Sequence, residues 1–255
     1  MRRTLLALTV ALLSSPAAAA DAPVSYSNNF LNCNAPIGYH LTEADMTCPV
    51  GGEKFKALQL GTHSTFGIYL DLRPVSYLGL PAPLAVCPSN GMVVSQDKYS
   101  DDELEKIGKA IATDEYKKIY AGQQATFFLL AEQERLSGTG TGPRWQKLMP
   151  ATWEADVCQD SGKYKTYATM ALEELKKAFK DMKPKDDYYW TVGLLIPELN
   201  RRLGDFDAAR DALLDLGGDL PADAQQKEAT ALIIDLLKAA ISRRDTGPVQ
   251  MKKDK

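Results

Sequence analysis

Between residues 161 and 179 the apolar positions Tyr164, Tyr167, Ala168, Ala171, Leu172, Leu175 and Phe179 return every three or four residues. That spacing puts them on one face of a long helix, which Pro184 brings to a close. The same period predicts helices along most of the chain after Ser100. Leu104, Ile107 and Ile111 follow the capping box Ser100-Asp101-Asp102-Glu103, in which the serine accepts from the glutamate amide and the glutamate reaches back. Tyr116, Ile119 and Tyr120, then Phe127, Phe128 and Ala131, predict a second helical stretch running to about Leu136. Trp145, Leu148, Met149 and Trp153 predict a third, opened by Pro143 and kinked at Pro150. Residues 188–203 and 207–216 read as two helices joined at Gly204, and a last helix begins at Pro221 with Leu232, Ile233, Leu236 and Leu237 on one face.

Before Ser100 the pattern differs. Phe66, Ile68, Leu70 and Leu72 alternate with Gly67, Tyr69 and Asp71, the period of a strand with one apolar face. Residues 55–60 and 84–87 read as its partners, while Pro74, Gly79, Pro81 and Pro83 make residues 73–83 a loop. Residues 21–45 read as an irregular arm. Strands begin at Met46. Such a β module holds too little apolar volume to stand unaided, so a covalent staple is expected. The expected division is a leader at 1–20, arm and β module at 21–99, a helical domain at 100–245 and a disordered tail at 246–255.

The leader is read from Arg2 and Arg3, the apolar run from Leu5 to Leu13, and the small residues Ala18-Ala19-Ala20. This is the build of a Sec signal peptide. Its apolar run is too short to span a bilayer, so the expectation is a periplasmic or secreted protein with no membrane span. The chain carries 30 basic and 33 acidic side chains, a net charge of −3. Losing Arg2 and Arg3 makes it more acidic still, which leaves no electrostatic footprint for nucleic acid.

Export bears on the cysteines. Cys33, Cys48, Cys87 and Cys158 form an even set, which in an oxidising compartment predicts two disulfides with three possible connectivities. The expected pairing is Cys48 with Cys87, leaving Cys33 and Cys158 to tie the arm to the helices. Cys48-Pro49-Val50-Gly51 and Cys87-Pro88-Ser89-Asn90 each look like half of a metal knuckle, a turn with cysteines at its first and fourth positions. Here Gly51 and Asn90 occupy the fourth positions. Two thiols cannot close a zinc site alone; His40 and His63 are the histidines that could join them in the alternative, metal-binding reading.

Residues 46–55 and 85–91, together with residues 198–206, resemble a bacterial domain-of-unknown-function family that joins a four-cysteine, zinc-ribbon-like module to tetratricopeptide (TPR)-like helices. Helix, glycine turn and helix at 188–216, with Ala208, Ala209 and Ala212 at the crossing, have the build of a TPR repeat. The resemblance implies a fold and no reaction. The reading is therefore an α+β chain, mostly α: a small disulfide-stapled zinc-ribbon-like β module followed by antiparallel TPR-like helical pairs.

Other chemistry finds little footing. No Cys-x-x-Cys, His-Glu-x-x-His or Gly-x-Ser-x-Gly occurs. Ser95-Gln96-Asp97-Lys98 matches Ser-x-x-Lys without its companion motifs, and the glycine loop 138–142 lacks the Gly-Lys-Ser/Thr that would cradle phosphate. Asp101-Asp102, Glu173-Glu174 and Asp186-Asp187 suit helix ends and solvated faces. Arg201 and Arg202 could present cations on a concave surface, or offset a helix C-terminus. Tyr188, Tyr189 and Trp190, with Tyr164 and Tyr167, could line a peptide groove or fill a core. The function expected is non-enzymatic binding of a protein or peptide in the cell envelope, without a cofactor; the alternative is a metal-binding or enzymatic protein built on Cys48, Cys87 and a histidine.

Overall fold

The computed structural model describes residues 24–25, 41–216, 220–221 and 223–252. The leader, most of the arm, Cys33 and His40 lie outside the described residues. Among the described residues, two small sheets precede eight helices. Strand β1 (Val24–Ser25) runs parallel to β3 (Lys54–Leu60), and β2 (Leu41–Thr47) pairs antiparallel on the other side of β3, with Met46 opposite Phe55 and Thr47 opposite Lys54. Strands β1 and β2 thus fall at Val24–Ser25 and from Leu41, within the stretch expected to be an irregular arm, rather than starting at Met46. The second sheet is the hairpin of β4 (Ala85–Val86) and β5 (Val93–Val94).

These hairpins have no core of their own. Phe55 and Ala57 of β3, with Cys48, Cys87 and Met92, are buried against Ile107 and Ile111 of α1 (Asp101–Ile111) and Tyr116 of α2 (Asp114–Ala121). Val86 and Val93 pack on Leu129 and Leu130 of α3 (Thr126–Ser137). Gln133 of α3 acts as a further strand: its Oε1 accepts from Val93 N at 2.8 Å and its Nε2 donates to Val93 O at 3.1 Å. A module too small to fold alone is completed by helices as well as by a staple.

Local signals set most helix ends. The capping box at Ser100 and Glu103 is formed. Asp160, Asp205 and Asp223 cap α5 (Ser161–Phe179), α7 (Phe206–Asp215) and α8 (Ala224–Ser242). The predicted helical stretch from Tyr116 to Leu136 is broken at residues 122–125 into α2 and α3. Ala125 cannot cap α3, so Glu154 of α4 (Trp145–Val157) does so from a distance, accepting from Thr126 N, Phe127 N and Thr126 Oγ1 at 2.9–3.0 Å. Helix α6 (Tyr189–Arg202) ends at Gly204, whose φ of +85° turns the chain into α7.

The main core lies between α3, α4, α5 and α6, where Leu148, Tyr167, Ala168, Ala171, Leu175, Leu195 and Leu199 are fully buried. A second cluster joins α6, α7 and α8 through Leu194, Phe206, Ala209, Leu237 and Ile241.

The expected strand at residues 66–72 is replaced by an irregular hairpin. Phe66 and Ile68 are exposed, Leu70 is buried, and Leu72 has a positive φ of 68°. Its hydrogen bonds run to residues 73–75 on one side and to the chain terminus on the other: Leu70 N donates to Val249 O and Met251 N to Ile68 O, both at 2.9 Å. Residues 246–252, expected to be a disordered tail, therefore form a strap across the molecule. Val249 and Met251 join the core of α6, α7 and α8, which ordering requires.

Candidate functional site

Three places collect the chemistry-bearing residues. At the first, each cysteine turn is a hairpin tip: residues 48–53 join β2 to β3, and residues 87–92 join β4 to β5. The turns share one hydrogen-bond pattern. Cys48 N donates to Glu53 O at 2.7 Å and Gly52 N to Cys48 O at 3.1 Å; Cys87 N donates to Met92 O at 2.8 Å and Gly91 N to Cys87 O at 2.9 Å. The fifth residue of each is a glycine with positive φ, 70° at Gly52 and 74° at Gly91. The two sulfurs are bonded to one another, with the α-carbons 5.6 Å apart. Asn90 spans the same gap, its Nδ2 donating to Val50 O at 2.8 Å while its Oδ1 accepts from Met92 N at 2.9 Å. Tyr116 Oη closes the far side on Gly91 O at 2.8 Å.

This clasp leaves no free thiolate on Cys48 or Cys87. His63 stands in the loop after β3, its Nδ1 3.4 Å from Gly61 O. Among the described residues no group of three or more His, Cys, Asp or Glu is placed to hold a metal. Cys158 is disulfide-bonded, and its expected partner Cys33 lies outside the described residues.

The second place corrects the reading of Arg201 and Arg202 as surface cations. Both are buried. Consecutive positions on α6 point them to different neighbours. Arg201 forms a two-pronged pair with Glu198, at 2.9 and 2.7 Å, and its guanidinium also donates to the carbonyls of Asp245 and Gly247, anchoring the strap. Arg202 meets Asp156 at 2.7 Å and Tyr164 Oη at 3.1 Å, and lies over the Tyr164 ring. Arg73 joins the other oxygen of Asp156 at 2.8 Å, so one aspartate of α4 ties the 66–75 hairpin to α6. Burial pushes the Asp71 carboxyl above its ordinary range, against the pull of neighbouring Arg73. Burial also pushes Glu198 up to about 7, opposed by Arg201. The cluster holds as many acidic as basic groups, and its bonded donors go to backbone carbonyls, partner carboxylates and the Tyr164 hydroxyl. Arg73 Nε, Arg202 Nη1 and Asp71 Oδ2 are buried without a hydrogen-bond partner among the described residues. Its arrangement welds the hairpin, helices and tail together.

The aromatic stripe divides. Tyr164, Tyr167 and Tyr189 are core residues, Tyr189 stacking near Phe179 with centroids 4.9 Å apart; Trp190 is half-buried against Tyr189, and Tyr188 alone is exposed, at 56%. No continuous aromatic groove results.

The third place, missed in the sequence, is an open groove of about 410 Å³ between α7 and α8. Phe206 and Ile241 form its floor with half-buried Leu213; Asp207, Arg210, Lys238, Ser242 and Arg244 form its rim. Arg210 pairs with Asp207 at 2.7 Å, and Arg244 lies over the Phe206 ring at 4.7 Å. Among the described residues neither Lys238 nor Arg244 has an ion-pair partner. The signal was available as i, i+4, i+7 spacing of Phe206, Arg210 and Leu213 on α7. Only the tertiary fold shows that α8 stands beside it. No helix is long and apolar enough to cross a membrane among the described residues.

Comparison with protein-family models, with curated proteins and with solved structures finds no match to this chain.

Proposed function

We propose that this chain is an exported, non-enzymatic interaction protein that binds a protein or peptide in the cell envelope through its helical surface. The α7–α8 groove carries the reading. It is open, apolar at its floor, within the ~300–1,000 Å³ range of ligand-sized pockets, and edged by Lys238 and Arg244, which have no carboxylate partner among the described residues. The other polar clusters spend their hydrogen bonds on holding elements together.

Export by a Sec signal to the periplasm, a zinc-ribbon-like ancestry for the N-terminal module and a TPR-like character for α6 and α7 belong to the same proposal. Support for the ribbon comes from the matching bonds of the two cysteine turns. Support for the repeat comes from the glycine turn at Gly204 and the close packing of Ala209. The compartment is supported by the disulfide, which persists in oxidising surroundings.

Photo-crosslinking tests the reading. A photoreactive residue is placed in turn at exposed positions of each helix in the exported protein, and adducts are identified by mass spectrometry. One recurrent envelope partner, captured from a contiguous set of helix positions, is expected. Absence of a recurrent adduct from every helix would overturn the proposal.

A further inference from the structure

The groove also indicates what its occupant must look like, an inference that rests on the binding reading above. We propose that the α7–α8 groove seats an acidic amphipathic segment of another protein, with an apolar side chain on Phe206, Leu213 and Ile241 and carboxylates against Arg210, Lys238 and Arg244.

The floor is apolar because α7 and α8 meet along Phe206 and Ile241, each 8% exposed, yet do not cover Leu213. Leu214, 71% exposed, extends that face outward, one turn beyond Arg210. An apolar side chain of a partner removes this surface from water. The charge is one-sided: three cations line the groove against the single carboxylate of Asp207, in a chain whose net charge is −3. Arg210 is already shared with Asp207 and, more distantly at 3.9 Å, with Asp211. Lys238 and Arg244 are not shared with any carboxylate among the described residues. The Arg244 guanidinium lies over the Phe206 ring, so the contact that extends the floor also holds a cation at its edge. A basic segment would meet like charge there. A neutral apolar one would leave two cations beside a newly dried surface.

The test uses the full mature chain and two fluorescein-labelled helical peptides. One carries leucine on one face and glutamate on the other; in its counterpart lysine replaces every glutamate. Fluorescence anisotropy should show saturable binding of the glutamate peptide alone, weakened by added salt. Lys238→Glu with Arg244→Glu should weaken it by about ten-fold or more. Leu213→Asp, at a half-buried position, should abolish it while the unfolding midpoint reports an intact fold. Equal binding of both peptides, binding of the lysine peptide alone, or no binding of either would overturn the proposed chemistry. Those results would leave the crosslinking test of a protein partner standing, so the two readings fail separately.

Discussion

A β-carbon placed on Gly51 would stand 3.7 Å from the side-chain nitrogen of Asn90, which itself bonds to the Val50 carbonyl. The fourth positions of the two cysteine turns therefore face each other across the clasp. Sulfur joins the first positions, and the fourth-position amide of Asn90 donates to the third-position carbonyl of Val50. Each turn keeps the backbone bonds of its counterpart, which is the observation behind the proposed zinc-ribbon ancestry.

Cysteines placed at both fourth positions test that proposal directly. In Gly51→Cys with Asn90→Cys, held reduced, four thiols should converge and bind one zinc per chain, read by chromogenic zinc titration. The positive φ of 96° at Gly51 strains a cysteine there, at about 1–2 kcal/mol. Structural zinc contributes roughly 10–16 kcal/mol in small peptides, so binding should prevail. Zinc uptake no greater than that of the reduced parent chain would count against the matching of the two turns.

Replacing Cys48 and Cys87 together by alanine should destabilise the protein by at least about 4 kcal/mol, the chain-entropy value for a loop of this length. Both sulfurs lie in the small core with Phe55, Met92 and Ile107. Loss of packing therefore adds to the loss of the bridge. Denaturant midpoints of the two proteins under oxidising conditions measure the difference. An unchanged midpoint would show that the clasp is dispensable.

Arg201→Ala strands a buried carboxylate at Glu198 and frees the carbonyls of Asp245 and Gly247. The expected loss is about 3–5 kcal/mol, with early exchange of the Leu70 and Met251 amides that hold the strap. Glu198→Gln with Arg201→Met should recover much of it. A fold unchanged by Arg201→Ala, accompanied by lost partner binding, would return Arg201 to the role of a surface cation.

The pH dependence has a defined sign. Burial raises Glu154 from its ordinary range to about 7, against the bonds it accepts from Phe127 and Thr126. An acid raised in the fold contributes stability that is complete below its unfolded pKa, near 4.5, and is lost as pH rises through about 7. Glu198 acts in the same window. The unfolding midpoint should fall between pH 5 and pH 8, and Glu154→Gln should flatten that slope while still capping α3. A slope as steep in Glu154→Gln as in the parent would contradict the assignment.

Local chemistry made much of this legible. Ser100 and Glu103 needed only each other, and the start of α5 at Ser161 followed from its apolar stripe. The disulfide could be read because the two turns match in sequence. What escaped depends on partners far along the chain. Residues 66–72 alternate like a strand, but their partners are residues 73–75 on one side and, on the other, the tail, whose Val249 and Met251 carry no period of their own. Arg201 looks like an end charge until the strap supplies the carbonyls it binds. Thr126 and Phe127 give no hint that Glu154, from the next helix, supplies their cap. The groove required α8 to stand beside α7, a relation that no single helix encodes.

The most direct test of the clasp is alkylation of the exported, unreduced chain, purified without chelators, followed by peptide mass spectrometry and metal analysis. A cross-linked peptide pair containing Cys48 and Cys87, with neither residue alkylated and no stoichiometric zinc, is the expected result. Both residues alkylated, with one zinc bound per chain, would show that a cation still holds the two turns and would contradict the account.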